Sequence, residues 1–208
     1  TNRLLNPALV AATLAVVVLV VWAMVGFTKS AGALRQARSQ GSDPVQLLAG
    51  TRILVSRAQS DENLALVARG SGAQYVADFD AVTAELRGAN GAGLLLDAQR
   101  AAPGVDLVEP YNAYLRAHMA VVTAANSGPF TQAVAVATGS RSTDELPAAT
   151  QLDTVLGTAL TNAQHVFDRK SAAARADLSF LAIGLVALVI LAGALAIAGF
   201  EQRINEYR

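Results

Sequence analysis

Residues 7–27 read PALVAATLAVVVLVVWAMVGF, and residues 178–200 read LSFLAIGLVALVILAGALAIAGF. The uncharged stretches that contain these two segments are 25 and 23 residues long. A helix needs roughly 20 apolar residues to cross about 30 Å of hydrocarbon. Each segment is therefore long enough for one transmembrane helix. Residues 28–177 form an aqueous part between them, and residues 201–208 form a short tail.

A cleaved signal peptide is the alternative interpretation of the first segment. A signal peptide has a basic start, an apolar stretch of about 7–15 residues and a small-residue cleavage site. Ala31-Gly32-Ala33 would supply such a site. However, residues 7–27 are longer than that stretch, and Arg3 is the only basic residue before them. The sequence therefore favours a membrane span at each end.

Composition argues against several functional classes. The chain has no cysteine, which excludes disulfides, thiolate catalysis and zinc–thiolate sites. Residues 28–177 carry 13 Lys and Arg against 14 Asp and Glu, so no basic surface for nucleic acid is expected. The sequence motifs of serine hydrolases, zinc proteases, P-loop NTPases and EF-hands are absent. We therefore expect no enzyme activity, no cofactor and no metal site.

The aqueous part has a helical pattern throughout. Alanine is abundant, and no apolar–polar alternation of period two persists. The glycine-rich stretch Gly88–Gly93 follows a helix rather than a strand, so we interpret it as a helix interruption and not as a phosphate-binding loop. The predicted main helices cover residues 44–69, 73–101, 106–126 with an extension at 129–138, and 144–206.

These helices predict the architecture. An even number of antiparallel helices returns the chain to the same side of the membrane. The sequence therefore predicts an all-α membrane protein in which two transmembrane helices flank an antiparallel four-helix bundle. Asp43 reads as the N-cap before Pro44, and Thr143 as the N-cap of the last helix. Residues 29–40 are expected to extend the first span outward.

The second span carries small residues four positions apart, Ala192 with Ala196 and Ala194 with Ala198. Such pairs allow close approach to another helix, including a helix of a second copy of the chain. Alanine-rich filler explains the pattern equally well.

Candidate ligand or partner contacts lie on three of the predicted helices. Asp61 is in line with the apolar face of its helix, and Arg57 one turn earlier can neutralise it. An ion pair at the edge of the bundle explains these two residues. A receptor site that also includes Arg69 and Tyr75 explains them too. His118 lies on an apolar face, where it would be a hydrogen-bonded core histidine or a ligand contact.

Residues 57–70 read RAQSDENLALVARG and are followed by Tyr75 and Asp78-Phe79. Residues 126–130 read NSGPF, and the chain ends in RINEYR. These stretches resemble the GlnX-like membrane proteins of actinobacteria. More loosely, the predicted bundle resembles the four-helix ligand-binding domains of bacterial chemoreceptors.

The resemblance implies a plasma-membrane protein with its bundle outside the cell and its termini in the cytoplasm. The charges beside the spans do not decide this orientation. GlnX-like proteins work with a solute-binding lipoprotein for acidic amino acids and amides, and with a cytoplasmic Ser/Thr kinase, protein kinase G. They usually contain two span–bundle–span units. This chain, which begins at Thr1, is therefore expected to be the C-terminal unit of a longer protein.

The sequence and the resemblance together predict a sensor or signal-relay protein that links such a lipoprotein to such a kinase. The short tail would pass the signal to the cytoplasmic partner through Arg203, Glu206 and Arg208. The alternative is a structural or scaffold subunit of a larger membrane assembly that senses no ligand.

Overall fold

The computed structural model describes residues 7–206, and every regular element in that range is helical. The helices are α1 (Pro7–Ala37), α2 (Asp43–Ala68), α3 (Ala73–Arg87), α4 (Leu94–Ala101), α5 (Val108–Ser127), α6 (Phe130–Thr138) and α7 (Glu145–Glu206). A π-helical segment, Arg38–Ser42, joins α1 to α2, and a 3₁₀ turn, Ala89–Gly91, lies between α3 and α4. The prediction of an all-α chain is confirmed over the described residues.

The chain divides into two compact units. The middle unit comprises Ser39–Phe167, and the terminal unit comprises the described residues up to Arg38 and from Asp168 onward. Among the described residues, two helices are long and apolar enough to cross a membrane, and they contain the two predicted spans. Large apolar side chains on both, such as Val17 and Ile190, are exposed, as contact with lipid requires.

Small residues line the surface along which the two helices of the terminal unit meet. A Cβ atom on Gly26 would collide with Cδ1 of Leu181, and a Cβ on Gly184 would lie 3.0 Å from Nε1 of Trp22. The ring of Trp22 also packs against Phe180, with centroids 5.8 Å apart. On α1 the more buried positions recur at spacings of three and four and are mostly small: Ala12, Ala15, Leu19, Ala23, Gly26 and Ser30. This pattern allows close packing of helices in lipid.

The small pairs predicted in the second span differ in their surroundings. Ala192 and Ala196 are half-buried, whereas Ala194 and Ala198 are exposed. Only the first pair is therefore partly covered within the terminal unit.

In the middle unit, α2, α3, α4, α5 and the first part of α7 share one apolar core. Its fully buried large side chains include Leu48, Leu86, Leu107, Tyr111, Tyr114, Leu152 and Leu156. At the edge of this core, the guanidinium of Arg52 on α2 donates two hydrogen bonds of 2.7 and 2.9 Å to Asp153 on α7. This bidentate pair fixes the relative register of the two helices.

The predicted continuous helix over residues 73–101 is wrong, although the interruption at Gly88–Gly93 is confirmed. Gly88 has a φ of 64°, which favours glycine, and its backbone packs so closely on Gly93 that neither position has room for a Cβ. The chain therefore leaves α3 at Gly88 and begins α4 at Leu94.

Two predicted helix starts also differ from the structure. Asp43 is the first residue of α2 rather than its N-cap, because the π-helical segment continues directly into α2. Thr143 is not the cap of α7, which begins at Glu145. Asp144 occupies the position before it, and its carboxylate accepts a 2.8 Å hydrogen bond from the backbone N–H of Arg141. The predicted extension of the first span is confirmed as far as Ala37.

Candidate functional site

Four polar side chains, which we call the polar cluster, meet in the interior of the middle unit: Glu62, Tyr114, His118 and Glu145. Glu62 and Glu145 are only 4% and 5% exposed, and Tyr114 is fully buried. The hydroxyl of Tyr114 lies 3.2 Å from Oε2 of Glu62, and Nδ1 of His118 lies 2.7 Å from Oε1 of Glu62. Glu145 packs beside the same carboxylate, and its Oε2 atom is buried without a hydrogen-bond partner among the described residues. The cluster thus connects α2, α5 and the start of α7.

Helical spacing brings these groups together. Glu62 continues the buried positions Val55 and Ala58 along one side of α2. Tyr114 and His118 are four residues apart on α5, so both side chains project from the same side of that helix. Glu145 is in the first turn of α7, where the helix dipole favours an acidic residue.

Burial decides the protonation of the cluster. Burial, together with the adjacent Glu62 carboxylate and its charge, raises the pKa of Glu145 to about 9. Glu145 is therefore protonated at neutral pH. Burial also raises the pKa of Glu62, while the interactions with Glu145 and Tyr114 lower it. The two carboxyl groups are a coupled pair in which burial disfavours a second negative charge.

His118 is neutral under the same conditions. Burial lowers the pKa of His118 below its ordinary value of 6.5 and outweighs the acidic neighbours Glu145 and Asp80, which raise it. Its ring is stacked on Phe79, with centroids 3.9 Å apart and an interplanar angle of 18°. Because Glu62 can only accept, the neutral imidazole carries its proton on Nδ1.

A cleft of about 540 Å³ opens beside the polar cluster, between α2, α3, α5 and α6. Glu62 and His118 line it at one end. At the other end, the guanidinium carbon of Arg69 lies 4.3 Å from the ring centroid of Phe130, in a cation–π contact. Half-buried Tyr75 contributes to the wall, and most of the remaining lining is aliphatic.

The structure brings three of the five predicted contact residues, Arg69, Tyr75 and His118, into this cleft. Arg57 and Asp61 are not part of its lining. They form the predicted intrahelical pair, with Nε of Arg57 3.8 Å from Oδ2 of Asp61. Asp61 is 8% exposed, and its Oδ2 atom has no hydrogen-bond partner among the described residues.

The predicted cytoplasmic contacts fall beyond the side chains that the structure describes. Arg208 lies outside the described residues, and so do the side chains of Arg203 and Glu206.

Sequence reasoning missed Glu62 and Glu145. The available signal for Glu62 was the adjacent acidic pair Asp61-Glu62. On a mostly apolar side of a helix, two neighbouring positions place at least one carboxylate toward the interior. Glu145 resembles an ordinary acidic residue in a first helical turn. Its contact with Glu62 depends on tertiary packing across 83 positions of sequence.

A second cleft of about 720 Å³ lies between α2, α4 and the middle-unit part of α7. Its charged lining residues are exposed, and two of them, Asp97 and Arg100, pair with each other at 2.9 Å. In the part of the chain that the structure describes, no group of three or more His, Cys, Asp or Glu could hold a metal ion. The cleft beside the polar cluster is therefore the better candidate site.

No protein-family model, curated protein or solved structure matches this chain. The candidate site is consequently interpreted from its own geometry and chemistry.

Proposed function

We propose that this chain is a membrane-anchored sensor or signal-relay protein. In this proposal residues 28–177 form an antiparallel four-helix bundle outside the cell, and both termini lie in the cytoplasm. The observation that supports it best concerns α7, which begins at Glu145 of the polar cluster and also contains the second apolar segment. An event in the cleft that alters the contact between Glu62 and Glu145 would therefore act on a helix able to cross the membrane.

The resemblance to GlnX-like proteins supports the choice of partners. Outside, the partner would be a solute-binding lipoprotein for acidic amino acids and amides. Inside, it would be a Ser/Thr kinase of the protein kinase G type, contacted through Arg203, Glu206 and Arg208. Lipid would surround the two spans, whose outer apolar side chains are exposed.

The orientation can be tested cleanly because the chain has no cysteine. Ser140 and Ile204 are both exposed. We expect Ser140→Cys to react with a membrane-impermeant maleimide on intact cells, and Ile204→Cys to react only after permeabilisation. The reverse pattern of labelling would contradict the proposed orientation.

The relay is tested by kinase output in cells that carry the complete protein. We expect Glu145→Ala to abolish the response of the kinase to acidic amino acids, while the protein still reaches the membrane. Asp97→Asn is the matched control, because Asp97 is exposed and lies outside the cleft beside the polar cluster. An unchanged response in the Glu145 variant would refute the relay.

Exposed apolar side chains on α2, notably Ile53 and Val67, favour a scaffold subunit as the second candidate. That function predicts a stable complex with partner proteins which neither the ligand nor the Glu145 variant changes. Substituting Ile53 and Val67 with serine should then dissociate the complex.

A further inference from the structure

His118 presents one unused ring nitrogen beside the cleft. Its Nδ1 atom is committed to Oε1 of Glu62 at 2.7 Å. Its Nε2 atom has no hydrogen-bond partner among the described residues, and the His118 side chain is 16% exposed. A polar atom in this position is available to a molecule that enters the cleft.

The neighbours of Glu62 determine what this nitrogen can do. Tyr114 donates to Glu62, and the neighbouring Glu145 keeps its own proton, so the Glu62 carboxylate acts as an acceptor. The proton of the neutral imidazole is therefore held on Nδ1, and Nε2 carries the free lone pair. The second ring nitrogen of His118, a residue that lines the cleft, is then an acceptor on a ring whose other nitrogen contacts the Glu62 carboxylate.

The remainder of the cleft suits an apolar body. Its volume of about 540 Å³ falls within the range usual for small-molecule sites. Leu66, Val76, Val121 and Val122 line it with aliphatic surface. Arg69 follows Glu62 by seven residues, about 10 Å along the helix axis, and is exposed. Arg69 lies just beyond the end of α2, and its guanidinium packs over the ring of Phe130 rather than against Glu62.

We propose that this cleft binds a small organic amine, whose ammonium group donates a hydrogen bond to Nε2 of His118 and whose apolar body packs against the aliphatic wall. The ammonium, imidazole and carboxylate then form a continuous chain of hydrogen bonds that ends at Glu62. This inference adds a ligand of the cleft itself, distinct from the acidic solute carried by the lipoprotein, and it rests on the proposed function for any biological output.

The charge of the cluster favours an amine over other head groups. A hydrogen bond donated by an ammonium is roughly twice as strong as one donated by a neutral group. An alcohol can donate to Nε2 without gaining from the charge of Glu62. A carboxylate has no proton to donate, and the carboxylate of Glu62 repels it.

The test compares three molecules with the same phenyl body: phenethylamine, phenethyl alcohol and 3-phenylpropionate. Binding to the complete protein in lipid nanodiscs is measured by calorimetry at pH 7. We expect the amine to bind about five to ten times more tightly than the alcohol, and the carboxylate to bind most weakly. Equal affinities, or no binding by any of the three, would overturn the proposal.

Glu62→Gln provides the sharpest variant because it preserves the shape of the side chain. Tyr114 would keep the oxygen of the new amide as its acceptor and leave the amide NH₂ group facing His118. Nδ1 must then accept, so Nε2 becomes a donor toward the cleft. We expect the order of affinities to invert, with 3-phenylpropionate now the tightest ligand. Retention of the amine preference in this variant would contradict the assigned acceptor.

Two further variants separate specific binding from partition into lipid. Ala125 lines the cleft and is exposed, so Ala125→Trp should fill it and abolish binding of all three molecules. Arg57 lies outside the lining, so Arg57→Gln should leave every affinity unchanged. Amine binding that survives in the Ala125 variant is partition into lipid and overturns the proposal.

The inference and the proposed function can fail separately. Loss of amine binding alongside an intact kinase response to the lipoprotein would refute only the ligand class. If the wild-type protein prefers the amine and the Glu62→Gln variant inverts the order of affinities, but no kinase response is seen, only the relay is refuted.

Discussion

At the scale of single residues, Tyr111 and Tyr114 form a natural comparison. Both are fully buried on α5, one turn apart. The hydroxyl of Tyr114 donates to Glu62, whereas that of Tyr111 has no hydrogen-bond partner among the described residues. An unpaired buried hydroxyl costs free energy, and so does a buried carboxylate that loses a donor. The two positions should therefore respond to phenylalanine in opposite ways.

We predict that Tyr114→Phe lowers the free energy of unfolding by about 1–3 kcal/mol, because the buried Glu62 carboxylate loses a donor. Tyr111→Phe is the matched control and should leave stability unchanged or slightly higher. Thermal unfolding followed by circular dichroism compares the two variants. Equal losses in both would show that the hydroxyl of Tyr114 contributes no specific stabilisation.

The raised pKa of Glu145 predicts how stability depends on pH. Between the ordinary value of 4.5 and about 9, the folded protein binds this proton more tightly than the unfolded chain. Stability therefore falls as pH rises through this window. His118, with its lowered pKa, acts in the opposite direction only below about pH 6.5. The interval from pH 7 to 9 isolates the carboxyl pair.

We predict that the melting temperature of the wild-type protein declines from pH 7 to 9, and that Glu145→Gln flattens this decline. The amide keeps the shape of the side chain but has no proton to lose. The other titratable groups around Glu145 are Glu62, Tyr114, His118 and Asp80, and all of them stay in place in the variant. If the melting temperature of the Glu145→Gln variant declines with pH as steeply as that of the wild type, titration of Glu145 is not the cause of the decline.

At the scale of elements, the contact between the two apolar helices depends on glycine at particular positions. Gly26 lies against Leu181, whereas Gly193 has open space around the position of a Cβ atom. Both are glycines within the apolar segments, so they share composition and differ only in what they touch. Close approach of helices in lipid depends on such small residues because larger ones hold the backbones apart.

We predict that Gly26→Val separates the two helices and lowers the melting temperature of the protein, while Gly193→Val does neither. Trp22, the only tryptophan in the chain, packs against Phe180 and reports the separation through its fluorescence. A shifted Trp22 emission in the Gly193 variant, or an unchanged emission in the Gly26 variant, would contradict this account of the contact.

At the scale of the whole molecule, all residues of the apolar core lie within the middle unit. We therefore predict that residues 39–167 expressed alone are soluble, helical and unfold cooperatively. Circular dichroism during heating checks this expectation. A gradual loss of signal without a transition would show that the middle unit needs the remainder of the chain.

The sequence predicted the helices of this molecule better than their contacts. Long uncharged segments and helical periodicity depend on neighbours in sequence, so both long apolar helices and most helix ends could be predicted. On α5 the large side chains of Leu115 and Val122 are half-buried, while the small Ala117 is buried. Hydropathy alone does not locate the buried face of this helix, because a small side chain gives little signal.

The candidate site was predictable in part for a related reason. Arg69, Tyr75 and His118 are conspicuous residue types, and all three line the cleft. Glu62 and Glu145 acquire their roles only by meeting each other in the folded chain. No spacing rule along the sequence connects them.

Because Glu62 and Glu145 form a coupled pair that binds a proton, ligand binding in the cleft can be followed by the number of protons it releases. A positive charge that arrives near the pair stabilises the ionised form of both groups, so binding releases a fraction of a proton to the buffer. The binding enthalpy would then vary with the ionisation enthalpy of the buffer in which it is measured. Titrations in phosphate and in Tris would thus count the displaced proton directly, without any label on the protein or the ligand.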